Sequence, residues 1–515
     1  MPKHQFFAKR LRRRGSVIIL FTLMLPVIMM AVGLAIDRTM VFIVEAKLGA
    51  AVDGAALGAG RLLGTNADTE EIAGEFLTAN FTTGYWGSMN LVPHIHATDN
   101  LALHTITVTA SVDVPLLFMR VLGSPVFTVY ASAQATRRDS RIVMVLDRSG
   151  SMSGQIANLR TGAATLTTMF TPGTDQLGLV VYGTSALVAY PSARPYSRTG
   201  AAGAYGPDTG FLTTQTSGPM LTMITAMASI NSNTGMAEGL ALAYIELQKA
   251  HAREIAVNGA DGRLNAIVLF TDGIANTISV YANDPANNSL KTTSSCTNNP
   301  ATATASTQMY GAIGAVKIDA THDNAYGMFR LASLYSGTAL YWVQNPNDDV
   351  LGIGPGGPIA NCVYLKDAGI TAGNTTDLKD LKQIPPYDIY GTSTSGTAYT
   401  HSAKVYDGTA YNNTQPTSGY HLRLASWNAV DNVAETIRNQ TGSVSAMNAI
   451  TIYTIAYTGS QGGVDDVLLK RLANTQDALG YDPLQQTGSY IPVSLGTDLT
   501  SAFANVGSAI LRLAK

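Results

Sequence analysis

Soft metal ligands are scarce in this 515-residue chain, which has only two cysteines, Cys296 and Cys362, and eight histidines. Three of the histidines, His94, His96 and His104, sit close together, yet no cysteine or carboxylate lies at a ligand spacing from them. They are read as surface residues of strands or loops, and zinc is not expected. Also missing are a phosphate-cradling Gly-x-x-x-x-Gly-Lys loop, a Gly-x-Ser-x-Gly elbow and a His-Glu-x-x-His pair. With no motif for nucleophilic or metal-hydrolytic chemistry, the chain is expected not to be an enzyme. Positive charge runs short after the first fourteen residues. Lys3, Lys9, Arg10, Arg12, Arg13 and Arg14 precede any acid, and the rest of the chain holds 27 basic against 35 acidic residues. An acidic remainder without a basic, aromatic-rich stripe argues against a nucleic acid partner.

What is present begins with "SVIILFTLMLPVIMMAVGLAI", residues 16–36, which has no charged residue over 21 positions. As a helix it spans about 31 Å, close to the hydrocarbon thickness of a bilayer. The six positive charges before it place the amino terminus in the cytoplasm. The expected topology is a single pass through the inner (cytoplasmic) membrane, a basic arm at 1–15, and the bulk of the chain periplasmic or extracellular. Pro26 is tolerable in such a helix. The run exceeds the core of a cleaved signal peptide. A prepilin-type leader cut after Gly15 would place Leu20 where a mature pilin has glutamate. Residues 37–65 continue as an alanine-rich helix whose small residues suit close packing, either on a partner's helix or on the chain itself.

Residues 66–139 read as a small α+β unit. "DTEEIAGEFLTANF" has apolar residues at helical spacing, while "LHTITVTASVDV" and "VFTVYASAQAT" alternate as strands.

From Ser140 onward, strands and helices alternate. "IVMVLDRSGSM", residues 142–152, runs five apolar residues into Asp147, Ser149 and Ser151. Such a run is a central parallel strand, and ligands in open α/β sheets sit beyond the carboxyl ends of the strands. A carboxylate and two hydroxyls there suit a hard divalent cation. Equally, Ser151 or Ser153 could cap the following helix. A second strand, "LNAIVLFTDG", ends in Asp272 as the first ends in Asp147. The pattern stops over 278–427, which is rich in Thr, Asn, Ser, Gly and Tyr, and resumes over 428–515. One α/β domain, 140–277 and 428–515, is therefore expected to be interrupted by an insertion, since neither half has enough strands to close a core. Cys296 and Cys362 both fall in that insertion and can form a disulfide outside a reducing compartment.

Asp147-x-Ser149-x-Ser151, Thr234 in "NTGMAEGL" and Asp272 in "FTDG" resemble the metal-ion-dependent adhesion site of the von Willebrand factor A domain. Separately, "RRRGSVIILFTLMLPVIMMAVGLAID" followed by "KLGAAVDGAALGAGR" resembles the amino-terminal segment of the TadE/TadG-like proteins of tight-adherence (Flp) pili. Together they resemble the TadG-like family. The resemblance implies a Rossmann-like A domain and a divalent cation, Mg²⁺ ahead of Ca²⁺. Ser149 and Ser151 would be direct ligands, with Thr234, Asp147 and Asp272 direct or water-bridged. It also implies a partner protein supplying a carboxylate to the metal, and pilins or other pilus-assembly proteins as associates. The expected role is a membrane-anchored, metal-dependent protein-binding component of pilus assembly or adhesion. Two alternatives stand beside it, a pseudopilin-like structural component and a surface adhesin for host or matrix protein. A phosphotransferase of the haloacid dehalogenase type would want Asp at position 149, which is Ser.

Overall fold

The computed structural model describes residues 16–65, 67–171, 173–183, 186–190, 212–213, 219–229, 233–281, 309–317, 323–331, 387–388, 390–395, 419–439, 448–459 and 463–513. The chain divides into two compact units, one of residues up to Asn100 plus His104–Arg137, the other of Leu101–Leu103 and Arg138 onward.

In the first unit a single helix, α1 (Ser16–Gly60), runs unbroken past residue 36 with Pro26 inside it. Among the described residues it is the one helix long and apolar enough to cross a membrane. Its two halves do different things. From Leu20 to Ile36 the large apolar side chains are exposed, whereas Val41, Val44, Leu48, Val52, Ala55 and Ala59 are buried at three- and four-residue spacing. That second stripe packs in one core with Ala73 and Leu77 of α2 (Thr69–Asn80) and the inward residues of a sheet. The sheet order is β1 (Met89–Asn100), β2 (Leu103–Pro115), β3 (Val126–Arg138). On β2, Ile106, Val108, Ala110, Val112 and Val114 alternate into the core.

The juxtamembrane helix therefore belongs with the α+β unit, rather than forming a separate segment at 37–65. A three-stranded sheet with one apolar face needs a cover, and the alanine stripe of α1 supplies it. The small residues serve this internal packing. A Cβ on Gly58 would lie 2.8 Å from the Phe76 ring. β1 has no strand signature in the sequence, because it is an edge strand carrying Pro93 and is mostly exposed.

The second unit is built on a seven-stranded sheet. Its members are β4 (Ser140–Asp147), β5 (Gln176–Tyr182), β6 (Ala186–Tyr190), β7 (Leu212–Thr213), β8 (Leu264–Thr271), β12 (Ile450–Tyr457) and β13 (Tyr490–Val493). The order is β13-β12-β8-β4-β5-β6, with β7 pairing outside this path on β5. β4 is parallel to both β5 and β8, β8 to β12, and β12 to β13, while β6 is antiparallel to β5. Numbered along this path in chain order, the strands run 3-2-1-4-5-6, the doubly wound arrangement.

Successive residues of β4 point to opposite faces. Val143 and Val145 enter a core with α5 (Met236–Asn258), α6 (Gly419–Arg438) and α7 (Asp466–Leu472). Ile142, Met144 and Leu146 enter another with α3 (Ile156–Thr168), α4 (Pro219–Ala226) and α8 (Leu499–Leu513). Both faces are covered, which is why these strands read as unbroken apolar runs.

Two boundaries of the expected insertion move. β9 (Thr277–Tyr281) spans its start and pairs with β10 (Met309–Lys317), which pairs antiparallel with β11 (Asp323–Leu331). At its far end α6 begins at Gly419, before 428, and Trp427 is fully buried within the domain core. Cys296 and Cys362 lie outside the described residues.

Candidate metal centre

The doubly wound order reverses between β4 and β8, the two strands that start the two halves of the sheet, and the crevice opens beyond their carboxyl ends. Asp147 is the last residue of β4, and Asp272 follows the last residue of β8. Both are fully buried. The register places Asp147 opposite Tyr182 of β5, and one step beyond the Leu146–Phe270 pair with β8.

Four of the five residues are linked in one chain of hydrogen bonds. The Ser149 N–H donates to Asp147 Oδ1 at 2.9 Å. The hydroxyls of Ser149 and Ser151 lie 3.1 Å apart, and that of Ser151 donates to Asp272 Oδ1 at 2.7 Å. Thr234 comes in from the loop before α5, where its N–H donates to Asn276 Oδ1 at 2.8 Å and its carbonyl accepts from the Asn276 N–H at 3.1 Å. A Cβ on Gly273 would lie 3.2 Å from Thr234 Oγ1 and 4.0 Å from Ser151 Oγ, so glycine beside Asp272 lets these hydroxyls approach. Asp147, Ser149, Ser151, Thr234 and Asp272 thus meet in one crevice. Ser151 is exposed at its mouth while the other four are buried.

The helix-capping alternative fails. The residue preceding α3 is Gln155, with no side-chain cap. Ser149 precedes a short 3₁₀ turn, Gly150–Gly154, again without a capping bond.

Burial pushes the Asp147 carboxyl above its ordinary range, against hydrogen bonds from Ser149 and Thr271. Burial, and next the charge of Asp147, raise Asp272 to about 7. Two like charges share a dry crevice, so a positive charge between them would relieve both. Among the described residues no group of three or more His, Cys, Asp or Glu is placed to hold a metal ion. The donors here are two carboxylates and three hydroxyls, a set that fits a small hard cation and not zinc.

Two further residues support the site without any signal in sequence spacing. Thr271 donates its hydroxyl to Asp147 Oδ2 at 2.8 Å and accepts the Gly273 N–H at 3.2 Å. Tyr182, buried beside Asp147, donates its hydroxyl to the Phe270 carbonyl at 2.8 Å. Burial and the Asp147 charge hold its phenol well above the ordinary value. Only the strand register brings these side chains to Asp147. Of the histidines, His94 and His96 are exposed on β1, as expected. His104 is buried, with Nδ1 2.7 Å from Asp99, because it stands on the inward-alternating strand β2.

Residues 15–62 match the family model described as putative Flp pilus-assembly TadE/G-like. Among curated proteins, none matches this chain. A von Willebrand factor type A structure from Catenulispora acidiphila is 9% identical over 82% of this chain, with a TM-score of 0.31. This chain covers 50% of that protein, about half its length. The von Willebrand factor domain of the type V pili tip protein Mfa5 from Porphyromonas gingivalis is 16% identical over 74% of this chain and 97% of its own, with a TM-score of 0.33. The PilB minor pilin from Streptococcus sanguinis is 13% identical over 83% of this chain and 79% of its own, also at 0.33. The α/β fold of the second unit rests on its strand order and on the two covered faces of its sheet.

Proposed function

Proceeding from a membrane-anchored chain with a TadE/G-like amino-terminal segment and a von Willebrand A-type sheet, we propose a metal-dependent, protein-binding component of a tight-adherence pilus system. The observation that carries this reading is the convergence of Asp147, Ser149, Ser151, Thr234 and Asp272 at the switch point of the sheet. A divalent cation held by these oxygens would offer an open coordination position to a carboxylate of a partner protein. With only two carboxylates, the site suits Mg²⁺, which keeps waters, ahead of Ca²⁺, which gathers more oxygen ligands.

The chain's own residues divide the work. Asp147 and Asp272 supply the negative charge, and the hydroxyls complete the shell without adding more. Thr271 and the Ser149 N–H orient Asp147 through their hydrogen bonds to its two oxygens. Ser151, at the exposed mouth, stands where a partner's side chain would arrive. The partner is then a pilin or another assembly protein presenting an exposed Asp or Glu.

The test is co-purification of partners with the detergent-extracted protein, with and without chelator, in the parent and in Asp147→Ala and Asp272→Ala variants. Chelator should release the partner from the parent and change nothing in the variants. A partner retained through both treatments would refute metal dependence. Loss of pili in the variants assigns the site to assembly. Intact pili with lost attachment assigns it to adhesion.

A further inference from the structure

The turn between β2 and β3 in the first unit is unusual in what it exposes. Leu116-Leu117-Phe118-Met119-Arg120-Val121-Leu122 has one charge in seven residues, and Leu117 and Val121 are 60% and 86% exposed. A surface turn is ordinarily polar, and this one is held firmly in place. The Asp37 carboxylate accepts the N–H groups of Leu117 at 2.9 Å, Phe118 at 3.0 Å and Met119 at 2.7 Å. One helical turn earlier, Gly33 is buried under Phe118, whose ring would clash with a Cβ at that position. Gly33 and Asp37 form one face of α1, and the turn is clamped on it.

Gly33 lies inside the charge-free run that ends at Ile36, about 4.5 Å short of its end at 1.5 Å per residue. The clamp therefore fixes Phe118 at the depth of the last turn of the run. Whatever medium surrounds the exposed side chains of residues 20–36 also surrounds this turn.

We propose that residues 116–122 form a second membrane contact, seated in the headgroup and acyl-chain boundary of the bilayer that α1 crosses. This rests on reading α1 as membrane-spanning. Leu117 and Val121 enter the boundary region, where interfacial segments bury their apolar faces about 5–10 Å deep. Arg120, exposed on the same turn, reaches back to lipid phosphates. The contact pins the first unit to the membrane surface at a point away from the helix axis, so that it resists rotation about α1. The chemistry favours lipid over a partner's helix, because the turn is continuous with the exposed surface of the span itself.

Depth-dependent fluorescence quenching tests this on the full chain, reconstituted in phosphatidylethanolamine–phosphatidylglycerol vesicles doped with lipids brominated on the upper acyl chain. Tryptophan is introduced singly by Val121→Trp on the turn, Ile28→Trp mid-span and Leu57→Trp far along α1, and the parent emission is subtracted. The expected result is emission at least halved for Val121→Trp and for Ile28→Trp, with Leu57→Trp unquenched. For Val121→Trp, bromine near the top of the acyl chain should quench more than bromine near its methyl end. Quenching of Ile28→Trp without Val121→Trp leaves the span standing and overturns the turn as a membrane contact, with blue-shifted emission then indicating a protein cover. Quenching of neither removes the span and the proposal together. Equal quenching of Leu57→Trp overturns the assignment of depth.

Discussion

Asp37 and Asp272 are each buried at the end of an apolar stretch, one in each unit, and the chain treats them in opposite ways. Asp37 accepts three backbone N–H groups from the β2–β3 turn. Asp272 accepts the Ser151 hydroxyl and faces a second buried acid, Asp147. Three amide dipoles hold a carboxylate in its ionised form, whereas a like charge opposes ionisation. The first arrangement is therefore a finished joint tying a turn to a helix. The second leaves repulsion inside the fold whenever both acids are ionised, which a retained proton or the cation proposed above would relieve. Burial alone does not separate the two aspartates, and the sign of their nearest partners does.

The largest break in this contrast should come from Asp147→Ala or Asp272→Ala. Either should abolish Mg²⁺ binding in titration calorimetry while the cation-free protein melts no lower than the parent, because the change removes repulsion together with the metal. Retained affinity in both variants would remove the distinction between the two units.

Next in size is pH. Asp272 lies at about 7 in the folded protein against 3.8 for the free group. Between those values the folded state keeps a proton that the unfolded state has released, so stability falls as pH rises through that window and is level above it. The difference amounts to at most on the order of 4 kcal/mol. Urea melts in chelator from acid to neutral pH should show the decline, and Asp272→Asn should flatten it. Mg²⁺ affinity should run the other way, rising as pH approaches about 7 and the proton leaves. A parent profile that does not change with pH would mean that the pair ionises freely.

Asp37→Ala should destabilise the first unit by about 2 kcal/mol, a typical loss for hydrogen bonds to a charged group. It should speed hydrogen exchange at the amides of Leu117, Phe118 and Met119. Mg²⁺ affinity in the other unit should not change, and a drop there would show that the two acids are coupled after all. The smallest effect is expected from Ser149→Ala. Removing one neutral donor while both carboxylates remain should weaken Mg²⁺ binding by about 1 kcal/mol, roughly fivefold.

Much of the candidate site was legible in the chain. Asp147, Ser149, Ser151 and Asp272 stand at or just past the ends of apolar runs, where local pattern finds them, whereas Thr234 came only with the resemblance to the von Willebrand A domain. Other features left no local trace. The start of α6 before residue 428 buries Leu422, Leu424, Ala425, Ser426 and Trp427 in a stretch too short and too interrupted by polar residues to contrast with the insertion. β1 contains Pro93 and little alternation, so its strand character comes from pairing with β2. The partition of α1 between an exposed and a packed half was visible as a change in charge and residue size. What the packed half covers was not.

The sequence by itself determined the elements whose signal is periodic or compositional: the charge-free helix, the fully apolar strands β4, β8 and β12, and the acids and hydroxyls that end them. These follow from how few residues a helical or extended backbone can bury at a given spacing. Tertiary structure decided the pairings. It set Thr271 and Tyr182 beside Asp147 through strand register, and brought Thr234 to Asn276 and beside Gly273 through the loop before α5. It also joined Asp37 to amides 80 to 82 residues away. Such contacts depend on which surfaces remain to be covered once every element has formed, and no local stretch of chain carries that information.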